Sequence, residues 1–184
     1  MNAADVAQAP PEYQNVAWIA DACKLLMGVG WMTNYIGMIY KSFQEKTYCM
    51  SLMPLCCNFA WELVYAVLYP FGSGVEQYVL LPGLVLNGVV MYTAVRFGRN
   101  EWAHAPLVQR NLHLIFTVCV VGWMSTHLAL AAQFGPTLAQ AWSAYGCHLL
   151  LSVGAICQLI GRGNSRGASY FLWYIHKYGS YDNQ

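Results

Sequence analysis

Five stretches of about 20 apolar residues, separated by short polar breaks, constrain this chain more than any other feature. They cover residues 17–40, 49–70, 78–97, 111–134 and 137–160. An α-helix needs about 20 apolar residues to cross the hydrocarbon core of a bilayer. The breaks hold the punctuation expected of helix ends: charged residues at 41–46, Gly72-Ser73-Gly74, residues 99–106, Gly135-Pro136, and residues 161–166. The spacing predicts an all-α, polytopic transmembrane bundle. It has a polar N-terminal segment (residues 1–16) and a single helical domain (residues 17–184), with five firm spans. A sixth apolar segment, residues 168–175, is interrupted by His176 and Lys177 and is too short to span. Composition agrees: 58% of residues are hydrophobic and 9% charged, whereas a soluble domain is about a quarter charged. A water-exposed fold this small lacks the charge to cover itself, and lipid removes that need.

The formal net charge is +1 and there is no basic run, which excludes nucleic acid as a partner. No basic segment followed by an apolar core opens the chain, so no cleaved signal peptide is expected. The basic residues sit on alternate breaks: Lys41 and Lys46, then Arg96, Arg99 and Arg110, then Arg162 and Arg166. Such a bias places these breaks in the cytosol and the N-terminus in a lumen or outside. Topology accounts for Arg162 and Arg166 as well as a head-group role would. The seven cysteines show neither CxxC pairing nor a zinc-finger spacing, and read as buried free thiols.

Glu62 is the only acidic residue well inside an apolar run. A charge at that depth costs about 2.5–3.5 kcal/mol on insertion scales, so such a residue faces the bundle, is partnered, or keeps its proton. Asn58, Glu62, Tyr65 and Tyr69 fall on one helical stripe. His113, Phe116, Val120, Trp123 and His127 form another; Trp142, Tyr145 and Ser152 a third, with His148 close by; Met27, Trp31, Asn34 and Met38 a fourth. Together they predict an aromatic-walled cavity lined by Asn58, Tyr65, Trp123 and His127 around Glu62. A carboxyl shut away from water favours its proton-carrying form and can serve as an acid. Aromatic faces stabilise cations by about 0.5–2 kcal/mol each. That set suits carbocation chemistry on a greasy substrate. A structural Glu bonded to a nearby Tyr or Trp explains the same residue, and packing explains the aromatics.

The stretch Leu55-Cys56-Cys57-Asn58-Phe59-Ala60-Trp61-Glu62, followed by Tyr65 and Tyr69-Pro70, resembles the fungal membrane-bound terpene cyclases of meroterpenoid and indole-diterpene pathways. So do the segments from Glu101-Trp102-Ala103-His104 through Asn111, from His127 to Gln133, from Gln158 through Ser165-Arg166-Gly167, and Ser169-Tyr170-Phe171-Leu172-Trp173. The resemblance spans nearly the whole chain. It implies seven spans, a prenylated aromatic or polyketide-derived substrate with a terminal epoxide, and ring closure after epoxide protonation. It places the acid at Glu62, implies the endoplasmic reticulum membrane, and implies no metal or other cofactor. A prenyltransferase and an epoxidase of the same pathway are the implied protein partners. The sequence has no DDxxD or DxDD run. The family's last helix, with a second acidic residue, has no match here. The chain therefore looks C-terminally shortened, and Asp182 does not inherit that role. A transporter with Glu62 as ion site, or a non-catalytic membrane subunit, stand as alternatives.

Overall fold

The computed structural model describes residues 10–70 and 75–169. The short sixth segment lies almost wholly outside the described residues, as does most of the polar N-terminal segment. The described residues form helices and connecting turns only. These are α1 (Pro11–Glu45), α2 (Leu52–Leu63) with a π-helical extension (Val64–Leu68), α3 (Val75–Glu101), α4 (Pro106–Arg110), α5 (Leu112–Phe134) and α6 (Pro136–Arg162). Proline opens α1, α4 and α6 at the first turn, where its missing N–H has no partner to lose.

α2 is the shortest of the long apolar elements and lies at the centre, packing on α3, α5 and α6, while α1 packs along α3 and α5 along α6. The polarity of the bundle is reversed from that of a soluble protein. Asn34, Asn58, Glu62, Asn87, Thr93, His127 and Ser143 are buried, whereas Leu114, Val118, Leu149, Val153, Ile156 and Ile160 face outward. Outward hydroxyls do not need water. Thr117, Ser125, Thr126 and Ser152 each donate to the carbonyl four residues back, at 2.9–3.0 Å. Such a surface requires lipid, and the chain is a polytopic membrane protein.

Three of the five predicted spans are long and apolar enough to cross by length and composition alone: Tyr78–Glu101, Leu112–Phe134 and Pro136–Arg162. The other two runs are helical but fall short of that standard. α2 with its π extension, Leu52–Leu68, is a shorter apolar helix. α1 is long, but its middle carries Thr33, Asn34 and Tyr35, and the last two are buried in the bundle. Residues that build an internal polar site lower the mean hydropathy of the helix that supplies them.

The three basic breaks converge at one end. Arg166 donates to the Glu45 carbonyl at 3.0 Å, Asn100 donates to the Lys46 carbonyl at 2.7 Å, and Arg162 and Arg166 both approach Glu101. Two glycines permit this closure. A Cβ on Gly154 would strike the Pro54 ring and Ser51 Oγ, and Gly167 sits at φ +81° with the Tyr48 carbonyl 2.8 Å from where a Cβ would be.

Glu45 ties the turn at Gly167 to α1: Gly167 N–H donates to Glu45 Oε2 at 2.6 Å, and Lys41 Nζ donates to Oε1 at 2.8 Å. The Lys41 ammonium and then the Gly167 N–H hold the Glu45 carboxyl below the usual carboxylate range. A lowered value means the tie is in place above the ordinary carboxylate range and is lost as pH falls through the lowered value. We expect amide exchange at Gly167, corrected for its intrinsic rate, to be protected at neutral pH. Glu45→Gln should reduce that protection at neutral pH and abolish its acid dependence. Both side chains are partly exposed, so the effect on global stability should be small.

Candidate active site

Glu62 lies on the face of α2 turned toward α1 and α3, and is 6% exposed. Its carboxyl accepts three hydrogen bonds from three helices. Tyr35 Oη on α1 donates to Oε1 at 2.6 Å, Asn58 Nδ2 one turn earlier on α2 donates to Oε1 at 3.3 Å, and Asn87 Nδ2 on α3 donates to Oε2 at 2.8 Å. Asn58 also donates to Tyr35 Oη at 2.8 Å, which fixes the phenol. Tyr35, Asn58 and Asn87 are themselves buried. No basic side chain is bonded to the carboxyl among the described residues. Trp31 packs against Tyr35 with ring centroids 5.7 Å apart, and against His148 of α6 in a stacked pair at 5.4 Å.

The remaining predicted site residues gather elsewhere. Cys57, the neighbour of Asn58, lies about 100° around the helix and faces α5 and α6. There its thiol is 3.9 Å from His127 Nε2 and 3.4 Å from the Cys147 sulfur. Trp123 stacks on His127 at 6.0 Å, and Tyr65 meets His127 edge-on at 6.1 Å, with its hydroxyl 3.5 Å from the His127 carbonyl. So Asn58 and Glu62 share one cluster, while Tyr65, Trp123 and His127 share another.

Tyr65 leaves the Glu62 stripe because α2 widens into a π turn at Val64–Leu68, closed by Tyr69 N–H donating to the Val64 carbonyl at 2.9 Å. A π turn inserts a residue into the helical period, and side chains beyond it swing around the axis. Trp142 and Tyr145 are not walls of an interior site: they are 69% and 50% exposed and face outward. Trp61 turns from Glu62 and donates to Ser143 Oγ on α6 at 3.0 Å.

Sequence reasoning missed Tyr35 and Asn87. Asn87 is the only amide in the interior of its apolar run, the same signal that singled out Glu62. Tyr35 lies one turn after Trp31, next to the inward residue Asn34.

The model of the Pyr4-like transmembrane terpene cyclases matches residues 4–183. The chain belongs to that family. The cyclase is 68% identical over 180 residues to the terpene cyclase dpfgB of Gibberella zeae, and 67% identical over 180 residues to the terpene cyclase dpmpB of Macrophomina phaseolina. Each of these matches covers 98% of this chain and 74% of the relative. The terpene cyclase subB of Metarhizium robertsii is 67% identical over 173 residues, a match that covers 94% of this chain and 100% of subB. No solved structure matches. The protein is thus a membrane enzyme of fungal secondary metabolism acting on a prenyl-derived small molecule, and the transporter reading is set aside.

Proposed function

We propose that the cyclase protonates a terminal epoxide on a prenylated aromatic or polyketide-derived substrate, with Glu62 as the acid. The observation that carries this reading is the buried Glu62 carboxyl held by three neutral donors and by no basic group among the described residues. Asn87 is the single partner of Oε2 among the described residues, and this oxygen is the one we assign to carry the proton to be delivered. Transfer of that proton to the epoxide oxygen breaks the C–O bond at the more substituted carbon and leaves a cation there. The nearest alkene attacks, one ring forms, and the charge moves along the chain. Loss of a proton, or capture by an internal oxygen, ends the sequence, and the product is an isomer of the substrate. A dry surround delays capture of the cation by water.

The basic end of the bundle is proposed to face the cytosol from the endoplasmic reticulum membrane, with the N-terminus lumenal, on the charge bias of the loops. A pathway prenyltransferase and epoxidase would supply the substrate.

The experiment is product analysis. Microsomes containing the chain should convert an epoxidised farnesyl- or geranylgeranyl-substituted aromatic to a cyclised isomer of the same mass, and leave the non-epoxidised parent untouched. Equal conversion by control microsomes, or cyclisation of the parent alkene, would overturn the reading. Tyr35 is proposed to position the acid. Tyr35→Phe removes the 2.6 Å hydrogen bond but keeps the ring, and we expect kcat to fall about tenfold, the equivalent of roughly 1.4 kcal/mol, with KM little changed. A loss confined to KM would make Tyr35 a substrate contact instead.

A further inference from the structure

Outside the Glu62 cluster, the described residues bring together three metal-ligating side chains: Cys57 of α2, His127 of α5 and Cys147 of α6. All three are buried, both thiols are free, and the ligand atoms lie within 4.8 Å of one another. We propose that these three residues form a binding site for a zinc ion that clasps α2, α5 and α6.

The geometry offers zinc three of its usual four ligands. Zinc binds thiolate sulfur at about 2.3 Å and imidazole nitrogen at about 2.0–2.1 Å, usually in a tetrahedron. Tetrahedral angles then set the ligand atoms roughly 3.5–3.8 Å apart. The sulfurs are 3.4 Å apart, Cys57 Sγ is 3.9 Å from His127 Nε2, and all three ligand atoms lie within 4.8 Å of one another, so the set stands close to those values. An ion placed among them would draw the three side chains toward a common centre.

Charge balance selects the ion. Binding displaces the two thiol protons to solvent, leaving two thiolates and a neutral imidazole around Zn²⁺, with net charge zero. A monovalent soft cation on the same ligands would leave a net negative charge where solvation is poorest. Ligation through Nε2 puts the imidazole proton on Nδ1. That atom has no partner among the described residues, so the ring is oriented by its contacts with Trp123 and Tyr65 rather than by a second hydrogen bond. The clasp would fix the rotation of α2 one residue before Asn58, and so hold the Glu62 cluster toward α1 and α3. The site does not depend on Glu62 being the acid, and its test does not depend on turnover.

The test is metal binding by the full chain purified in detergent without chelators. We expect about one zinc per chain. Replacement of zinc by Co²⁺ should give a thiolate-to-cobalt charge-transfer band in the near ultraviolet. Cys57→Ser and Cys147→Ser should each weaken Co²⁺ binding by at least about a hundredfold, the upper end of what losing an outer-shell partner costs. The exposed Cys157, replaced by Ser, should change nothing. Zinc should also raise the unfolding midpoint of the wild type and not of Cys147→Ser. The proposal is overturned if the wild type shows neither zinc nor the cobalt band, which needs no variant to fold. It is also overturned if the band survives both serine variants, or if peptide mapping of unreduced protein finds Cys57 and Cys147 joined as a disulfide.

Discussion

Glu62→Gln is expected to lower the rate of cyclisation by about 10²–10⁴-fold, the range over which a positioned general acid contributes, while the protein stays folded. The amide fits the space of the carboxyl, and its oxygen can still accept from Tyr35 and Asn58. The new NH₂ would face the donating Nδ2 of Asn87, which would be repulsive as the side chains stand. Asn87 has a way out, because its Oδ1 is buried without a partner among the described residues. Turning the Asn87 amide over gives Oδ1 as acceptor for the new NH₂. The substitution therefore removes the transferable proton and keeps the Asn87 link, at the cost of moving the Asn87 NH₂ to the unpartnered position. Glu62→Leu differs, because it strands Tyr35, Asn58 and Asn87 without their common acceptor. A buried polar group left without its partner costs about 1–3 kcal/mol, so that variant should lose both folded protein and activity. Rates are measured on detergent-purified protein, normalised to the folded fraction. A Glu62→Gln enzyme that cyclises as fast as wild type would remove Glu62 from the chemistry and leave it a structural acceptor.

How much of this was legible beforehand follows from the local character of each signal. Asn58 and Glu62 are one helical turn apart on a regular helix, so their shared face could be read from spacing. Tyr65 follows the same rule on paper, but the π turn beginning at Val64 breaks the period, and no residue there announces it. Trp142 and Tyr145 keep helical spacing yet face outward: in a membrane protein, an aromatic stripe marks lipid as readily as interior. Cys57, His127 and Cys147 are 70 and 90 residues apart along the chain. A three-helix cluster of that kind leaves no sequence motif, and only the packing of α2 against α5 and α6 assembles it. That the basic breaks share one end was legible for a different reason: charge bias is additive over loops, and the three breaks meet in the structure.

Arg162→Met is expected to cost the fold about 1–3 kcal/mol, the range for leaving largely desolvated polar groups without their partner, and to leave the turnover of the surviving folded molecules near wild type. The sequence offers Arg162 as a topology marker, but the structure gives it a structural task. Its side chain is 10% exposed and closes the last turn of α6 onto two other elements. One Nη1 donates to the carbonyls of Tyr48 and Arg166, both at 3.0 Å, Nε lies 3.9 Å from Glu101 Oε2, and the guanidinium sits 4.0 Å over the Tyr48 ring. Methionine fills much of the volume but leaves the Glu101 carboxylate, itself 13% exposed, with Arg166 alone at 3.5 Å. Arg166 is 52% exposed and bonds the Glu45 carbonyl, so it cannot move inward without releasing α1. Arg162→Lys keeps the charge but loses the fork and the flat face over Tyr48, and should fall between the two. Adding Glu101→Gln to Arg162→Met removes the stranded charge and should recover part of the loss. Unfolding midpoints in detergent measure all four proteins. The alternative role, a clamp on the polar head of the substrate, makes the opposite forecast: stability near wild type and a raised KM for Arg162→Met.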